Sequence, residues 1–284
     1  MAASLNPYIS QFDKGFDVEK SSQYRLTIQF SLGGLSFALL DSKTLTIIGL
    51  ECYQSDYLTD SEALFHALER ALEGHNLNGR DLESVTCLID GRTNTLVPSS
   101  LFDEKESQTY LDFTFQLPDE QVVLHEALAT QACTNVFALP KPLLAKIRSK
   151  WPTAKIRHSS SVFIDSSMKY APEGKAAFVN VKSRDFDMAI VDEGRLAFFN
   201  NFKFNTKDDF AYFLLFALEQ NGFSGLELPV CFSGLILPAA EIVELCSRYV
   251  QYLLFVEDRR ELHVSEALSE VPFQYYYIHY QALR

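Results

Sequence analysis

Hydrophobic and polar positions follow one order twice along the chain. From Arg25 the residues read RLTIQFS, a Gly33-Gly34 turn, LSFALLD, a Ser42-Lys43 turn and TLTIIGL. These short runs, rich in β-branched and apolar residues and divided by turn formers, predict three successive strands. From Ala176 the order returns as AAFVNV, DFDMAIVD, a Glu193-Gly194 turn and RLAFFNNF, with Asp41 and Asp192 in the same place 151 positions apart. The period then changes to that of a helix. Leu64, Ala67, Leu68, Ala71 and Leu72 share one face of the first helix, and Phe210, Phe213, Leu214, Ala217 and Leu218 share one face of the second. Thr59 with Glu62 and Thr206 with Asp209 have capping-box spacing: the hydroxyl accepts a free N–H of the first turn and the carboxylate reaches back. Asn78-Gly79 and Asn221-Gly222 follow the two helices.

Each half continues with a short buried strand, SVTCLIDG or ELPVCFSG, closed by Gly91 or Gly234. VPSSLF and LPAAEI then predict helix starts, with Pro98 and Pro238 near the first turn. From Pro98 to Leu128 and from Pro238 to Leu268 the halves align without a gap at an offset of 140. The first half carries what reads as an extra tail: a helix from Pro142 to Trp151, a strand near Lys155–Arg157, and the serine-rich HSSSVFIDSS as a loop and helix cap. Near the end, FQYYYIHY (Phe273–Tyr280) predicts an aromatic strand. Pro and Gly in KYAPEGK mark the hinge, giving two domains, 1–172 and 173–284.

Three antiparallel strands, a helix, a parallel strand and further helix and strand, present twice, resemble the duplicated ribonuclease H-like halves of the actin, sugar-kinase and heat-shock-chaperone superfamily. The segment VFALPKPLLAKIRSKWPTAKIRHSSS is similar to the equivalent part of actin-like pilus-assembly and secretion proteins. The chain as a whole resembles an uncharacterised bacterial family, seen in Bacteroidetes, with an actin-like ATPase fold and no assigned activity. The resemblance implies an α/β protein with two mixed sheets flanked by helices around a central cleft. It also implies two phosphate-binding hairpins, whose glycines let backbone N–H groups approach the phosphates, each with a carboxylate for Mg²⁺ or the attacking water.

Set against those motifs, the chain departs in one direction. The first hairpin reads Ser31-Leu32-Gly33-Gly34, with an uncharged serine where the superfamily has aspartate. The second reads Asn180-Val181-Lys182-Ser183-Arg184-Asp185-Phe186-Asp187: Asn180 replaces the aspartate, and the three glycines are gone. Left-handed backbone at those positions costs roughly 1–2 kcal/mol per residue. Asp187 fits the last motif position, and the adenosine motif is reduced to Ser233-Gly234. Asp90-Gly91-Arg92 ends the fourth strand, where it reads as a turn or as a cleft carboxylate, the turn favoured. Lys182 and Arg184 read as a solvated hairpin tip or, less favoured, as a direct grip on phosphate.

Composition narrows the function classes. A formal charge of −12 argues against nucleic acid and against an anionic membrane surface. Five scattered cysteines read as reduced thiols, and no segment is long enough in apolar residues to cross a bilayer, so a cytoplasmic location is expected. The six histidines lack ligand spacing, so no metal site is expected, and no Cys-x-x-Cys or Gly-x-Ser-x-Gly occurs. The expectation is a non-catalytic binding or assembly component with degenerate phosphate loops, no catalytic residue, no cofactor and an unnamed protein partner. The alternative is an atypical ATP-binding protein, an ATPase or small-molecule kinase that uses ATP and Mg²⁺ through Lys182, Arg184, Asp187 and Asp90.

Overall fold

A computed structural model of the chain describes residues 6–31, 34–54, 60–171, 174–257 and 262–284. A short strand, β1 (Ile9–Phe12), precedes the first meander of β2 (Tyr24–Ser31), β3 (Gly34–Asp41) and β4 (Thr46–Gln54). Helix α1 (Ser61–Gly74) and strand β5 (Ser84–Asp90) follow. Next come β6 (Asn94–Pro98), α2 (Ser107–Asp112), β7 (Gln121–Ala127) and β8 (Cys133–Pro140), then α3 (Lys141–Lys150), β9 (Lys155–His158) and α4 (Ser159–Tyr170). The second meander is β10 (Lys175–Val181), β11 (Asp185–Asp192) and β12 (Arg195–Lys203). It leads to α5 (Lys207–Gln220), β13 (Val230–Gly234), α6 (Glu241–Cys246), β14 (Leu253–Phe255), β15 (His263–Val264) and α7 (Tyr277–Leu283).

The first sheet has the order β1-β4-β3-β2-β5-β9, with β15 also on β4; the second has the order β12-β11-β10-β13-β14. In both, the first meander strand pairs antiparallel with the second and parallel with the fourth strand of its half. A register shift falls at Leu39/Leu40 in the first meander and at Ile190/Val191 in the second, so even the bulge recurs. The repeat therefore runs further than the sequence alignment suggested. By sheet order β9 is matched by β14, and α3 and α4 are matched by α6 and α7. The stretch read as an extra tail thus has a counterpart. What the second half lacks is the segment before it, where β6, β8 and β7 form a separate three-stranded antiparallel sheet.

The gapless offset-140 alignment fails for the same reason: Glu126 lies in β7, whereas Glu266 lies in a 3-10 turn. Pro98 ends a strand rather than opening a helix, its pairing with Cys133 closing the β6–β8 ladder.

Packing explains why the helices form. Leu64, Leu68 and Leu72 of α1 join Leu26, Ile28 and Phe37 in one core; Phe210, Leu214 and Leu218 of α5 join Val179, Met188 and Ile190 in another. Each helix spends one apolar stripe on its own sheet. Asp60 caps α1 by accepting from the Ala63 N–H, and Thr59 lies outside the described residues. The Thr206/Asp209 capping box of α5 is complete.

Helices α4 and α7 lie between the sheets, and each also touches the sheet of the other half. Helix α4 reaches across to β11 and β12, and α7 packs on β2 and β3. Val162 and Phe163 meet Phe178, Ala189 and Val191, while Tyr280 and Leu283 meet Ala38, Leu40 and Leu50. Burial on all sides erases the polar face from which a helix is recognised. That is why Phe273–Tyr280, expected as a strand, is a 3-10 turn (Phe273–Tyr276) running into α7. It is also why HSSSVFIDSS is the buried body of α4 rather than a surface loop. There Ser166 and Ser167 each donate to the Phe163 carbonyl at 2.8 Å, and Asn135 donates to Ser161 at 2.8 Å.

Candidate functional site

The β2–β3 and β10–β11 hairpins stand at equivalent ends of the two sheets. The first is uncharged at its base. Ser31 pairs with Gly34 across the turn and with Asp90 on β5. A Cβ on Gly34 would lie 2.6 Å from the Ser31 hydroxyl oxygen, so glycine keeps that base narrow. Gly33 lies outside the described residues.

The second hairpin has been rebuilt. The Lys182 N–H donates to the Asp185 carbonyl at 2.9 Å, closing a tight turn over Ser183 and Arg184, both exposed. Neither residue has a positive φ, so this turn avoids the left-handed strain expected from the loss of glycine. Ser183 and Arg184 are exposed, as expected of a hairpin tip, but Lys182 is not. Its ammonium turns inward, 2.8 Å from Asp90 Oδ1, 3.0 Å from Asp187 Oδ2 and 3.3 Å from Asp185 Oδ1. Asp90 is likewise no exposed turn: it is the last residue of β5, its side chain only 6% exposed.

The surrounding groups hold this arrangement. Ser159 at the start of α4 donates to Asp90 Oδ1 at 2.7 Å, and Gln29 Nε2 donates to Oδ2 at 3.1 Å. Asn201 on β12 bridges Asp185 and Asp187 with its Nδ2, at 2.9 Å to each. Burial works against charge at every one of these sites. It raises the Asp90 carboxyl, yet the Lys182 charge and the donors from Lys182 and Ser159 outweigh it, leaving Asp90 below the usual range. Burial would lower Lys182, yet Asp187, Asp90 and Asp185 together hold it well above its ordinary value. Asp187, fully buried and near Asp90, is raised despite Lys182. Burial, reinforced by Lys182, pushes the His158 imidazole beside this cluster down to about 3.

The remaining sequence candidates line the same strands. Asn180 faces Asp187 on one side and Ser233 on the other, and its Oδ1 accepts from the Ser233 hydroxyl at 3.2 Å. Gly234 has φ +85°, and a Cβ there would lie 2.1 Å from the Val181 carbonyl oxygen. It is required by close backbone approach, not by a strand end alone. The structure thus brings Asp90, Lys182 and Asp187 together in one contact group and leaves Ser183 and Arg184 outside it. Sequence reasoning missed Asp185, Gln29, Ser159 and Asn201. Asp185 was within reach, since residues two apart on a strand share a face and Asp185 and Asp187 flank Phe186. Gln29, Ser159 and Asn201 carry no local signal.

Chemically, the group is an oxygen-lined site already holding a cation, and that cation is the protein's own. A fully charged ammonium with three carboxylate contacts is neither a general base nor a nucleophile. The carboxylates around it would have to give it up before holding a hydrated divalent ion. Among the described residues no group of His, Cys, Asp and Glu has the arrangement of a metal site. Cys52, Cys87, Cys231 and Cys246 are buried and reduced. No described helix is long and apolar enough to cross a membrane.

A family model for a protein of unknown function, DUF3822, matches residues 13–253. The chain belongs to that family. Among solved structures, this DUF3822 protein is similar to a Bacteroides thetaiotaomicron protein with an actin-like ATPase fold and unknown function. Identity is 18%, coverage is 85% of this chain and 93% of that one, and the TM-score is 0.75. It is also similar to a chain of the PilM–PilN type IV pilus biogenesis complex, at 10% identity, with 91% and 97% coverage and a TM-score of 0.62. No curated protein matches. The fold is therefore the duplicated ribonuclease H-like, actin-like ATPase fold, with helices flanking two mixed sheets.

Proposed function

We propose that this DUF3822 protein is a non-catalytic binding or assembly component built on an actin-like fold whose nucleotide cleft is closed by its own side chains. The observation that carries this is the Lys182 ammonium, buried among Asp90, Asp185 and Asp187 at the hairpin where the fold presents backbone amides to phosphates. Catalysis of phosphoryl transfer rests on positioning and on neutralising developing charge with a mobile, hydrated metal ion. Here the acidic groups are spent on a tethered cation, and the second hairpin has exchanged its glycines for side chains. Asp90 and Lys182 come from opposite halves, so the pair also ties residues 1–172 to 173–284. In this reading those are two modules whose last helices pack between the two sheets. The similarity to a chain of a pilus biogenesis complex is consistent with a role in assembly, with the partner here being another protein rather than nucleic acid or lipid.

Calorimetric titration of the intact protein with ATP and Mg²⁺, alongside a phosphate-release assay, tests this. The expected result is no saturable heat and no release above the buffer rate. Turnover that disappears in a folded Asp187→Ala protein would establish the ATPase alternative instead.

A further inference from the structure

The duplication supplies an internal reference for one surface. Strands β4 and β12 are the outer meander strands of their sheets, with the bulge at the same place. The outer edge of β4 is covered twice: β1 pairs antiparallel with residues 49–52, and β15 pairs parallel with residues 46–47. The added strand is built in. Phe12 of β1 lies so close over Gly49 that a Cβ there would be 2.6 Å from its ring, and it stacks on His75 at the end of α1 with centroids 3.8 Å apart.

The corresponding edge of β12 carries no strand among the described residues. At its start, the Leu196 N–H is met by the Gln131 side chain at 3.4 Å. Beyond that no strand among the described residues pairs with the outer edge from Ala197 to Lys203. The Phe204 N–H turns inward to Arg184, whereas the Asn201 N–H is taken up by the neighbouring Asn200 side chain at 2.9 Å. Alternation along an antiparallel strand then turns the Phe199 and Lys203 N–H groups outward with that of Asn201.

Beside this edge runs a row of aromatic rings that continues onto α5. Phe198 stacks on Phe202, Phe202 on Phe213, and Tyr212 on Phe216, at 6.2, 5.4 and 5.8 Å. Tyr212 and Phe216 are 60% and 43% exposed. Phe198 stands at the register of Gly49, opposite Ile190 as Gly49 is opposite Leu39, so β12 supplies for itself the ring that β1 brings to β4.

We propose that the open edge of β12 receives an extended segment of a partner protein, running antiparallel to it and carrying acidic residues at both ends. Charge selects that occupant over a second copy. Arg195 and Lys203 lie at the two ends of the strand and are exposed. Their cross-strand neighbours Asp192 and Asp185 are already engaged by Lys175 and Lys182. The bulge puts Arg195 and Lys203 on opposite faces, since their partners Asp192 and Asp185 are seven apart. Antiparallel pairing of two copies would still bring the basic Arg195 end of each beside the basic Lys203 end of the other, like charge near like charge. Basic edge residues are also a common guard against self-pairing. A foreign strand with acidic ends meets both charges favourably, gains the free backbone bonds, and lays its α5-facing side chains along the ring row. The proposal extends the binding role to the outer edge of the second sheet and needs no nucleotide, so it is tested separately from phosphate chemistry.

The test uses the intact protein and three labelled peptides. One is Glu-Val-Thr-Val-Thr-Val-Thr-Glu, eight residues long like the Asp185–Asp192 span, so that its two Glu fall on opposite faces as Arg195 and Lys203 do. The second has both Glu replaced by Lys, and the third is the first with Pro at positions three and six. Fluorescence anisotropy reads affinity, and hydrogen–deuterium exchange reads the Phe199 and Lys203 amides. The acidic peptide is expected to bind saturably, at least tenfold more tightly than the Lys-ended one, and to slow exchange at both amides. The Pro peptide, which cannot complete the ladder, is expected not to bind. The protein with Arg195→Glu and Lys203→Glu is expected to reverse the preference between the first two. No binding of the acidic peptide, equal binding of the Pro peptide, or concentration-dependent protection of the two amides in the protein alone would each overturn the proposal. The last result would assign the edge to a second copy.

Discussion

The two meanders share strand order, bulge position and helix placement, yet their hairpins do opposite things. The β2–β3 hairpin keeps Gly34 and an uncharged Ser31 at its base. The β10–β11 hairpin has lost its glycines and sends Lys182 inward across the cleft to Asp90. The edges differ too, with β4 doubly covered and β12 carrying no added strand among the described residues. One architecture thus tolerates very different loop chemistry, since a buried face strongly specifies sheet register. The site that defines the fold's usual activity was free to change while the fold did not.

The sharpest way to break this contrast is to remove the charge. Lys182→Met keeps the stem but leaves Asp90 and Asp187 buried without their cation. Breaking a buried pair from one side costs about 3–5 kcal/mol, and urea unfolding should show a loss of that order. Ser31→Ala, the matching change in the other hairpin, is expected to cost less than 1 kcal/mol. Equal losses at the two positions would remove the distinction.

Next in size is Gly234→Ala. It combines a positive φ with a Cβ driven into the Val181 carbonyl, and strain with overpacking suggests about 2–4 kcal/mol. Gly91 closes the equivalent strand of the first half and has nothing within 4 Å of its would-be Cβ, so Gly91→Ala should be close to neutral. Thermal denaturation of the two variants side by side checks this.

A smaller, graded effect separates the buried histidines from the carboxylates. Burial holds His279 on α7 at about 4, and burial with Lys182 holds His158 at about 3, both below the 6.5 of a free imidazole. The unfolded chain therefore takes up protons below pH 6.5 that the folded protein refuses. Stability from these groups is fully present above pH 6.5 and falls as pH drops toward 4, by about 1.4 kcal/mol per pH unit for each histidine at the steepest. The lowered Asp90 adds a further loss only below its free value of 3.8. The raised Asp187 acts in the opposite sense, gaining its proton first in the folded state. His279→Gln, with an amide in place of the imidazole bonded to Ser36, should reduce the slope between pH 6 and 4.5 by up to about 1.4 kcal/mol per pH unit. An unchanged slope would show that His279 is protonated in the folded state.

Much of the fold was legible because each meander strand packs at least one face and each flanking helix spends one stripe. Period two and period 3.6 then mark Ile28, Phe37, Leu64 and Phe210 without help. Legibility failed where burial is all-round, as in α4 and α7, and where elements are too short to carry a period, as in β14, β15 and β1. The strength of α3–β9–α4 against the brevity of α6–β14 made a shared part of the repeat look like an addition. The site was half legible. Motif position singled out Lys182, Asp187 and Asp90, but their burial depends on a contact between residues 92 apart in sequence. Nothing local tells a hairpin tip in water from one folded into a cleft.

The central claim is that Lys182 and Asp90 clasp the two halves, and a double-mutant cycle tests it most directly. Lys182→Met, Asp90→Asn and the double variant would be compared by urea unfolding. Because each single change strands the other partner, the account predicts that the double variant loses at least about 2 kcal/mol less than the two single losses added. Losses that add to within about 0.5 kcal/mol would show that the two residues do not act on one another, and would contradict it.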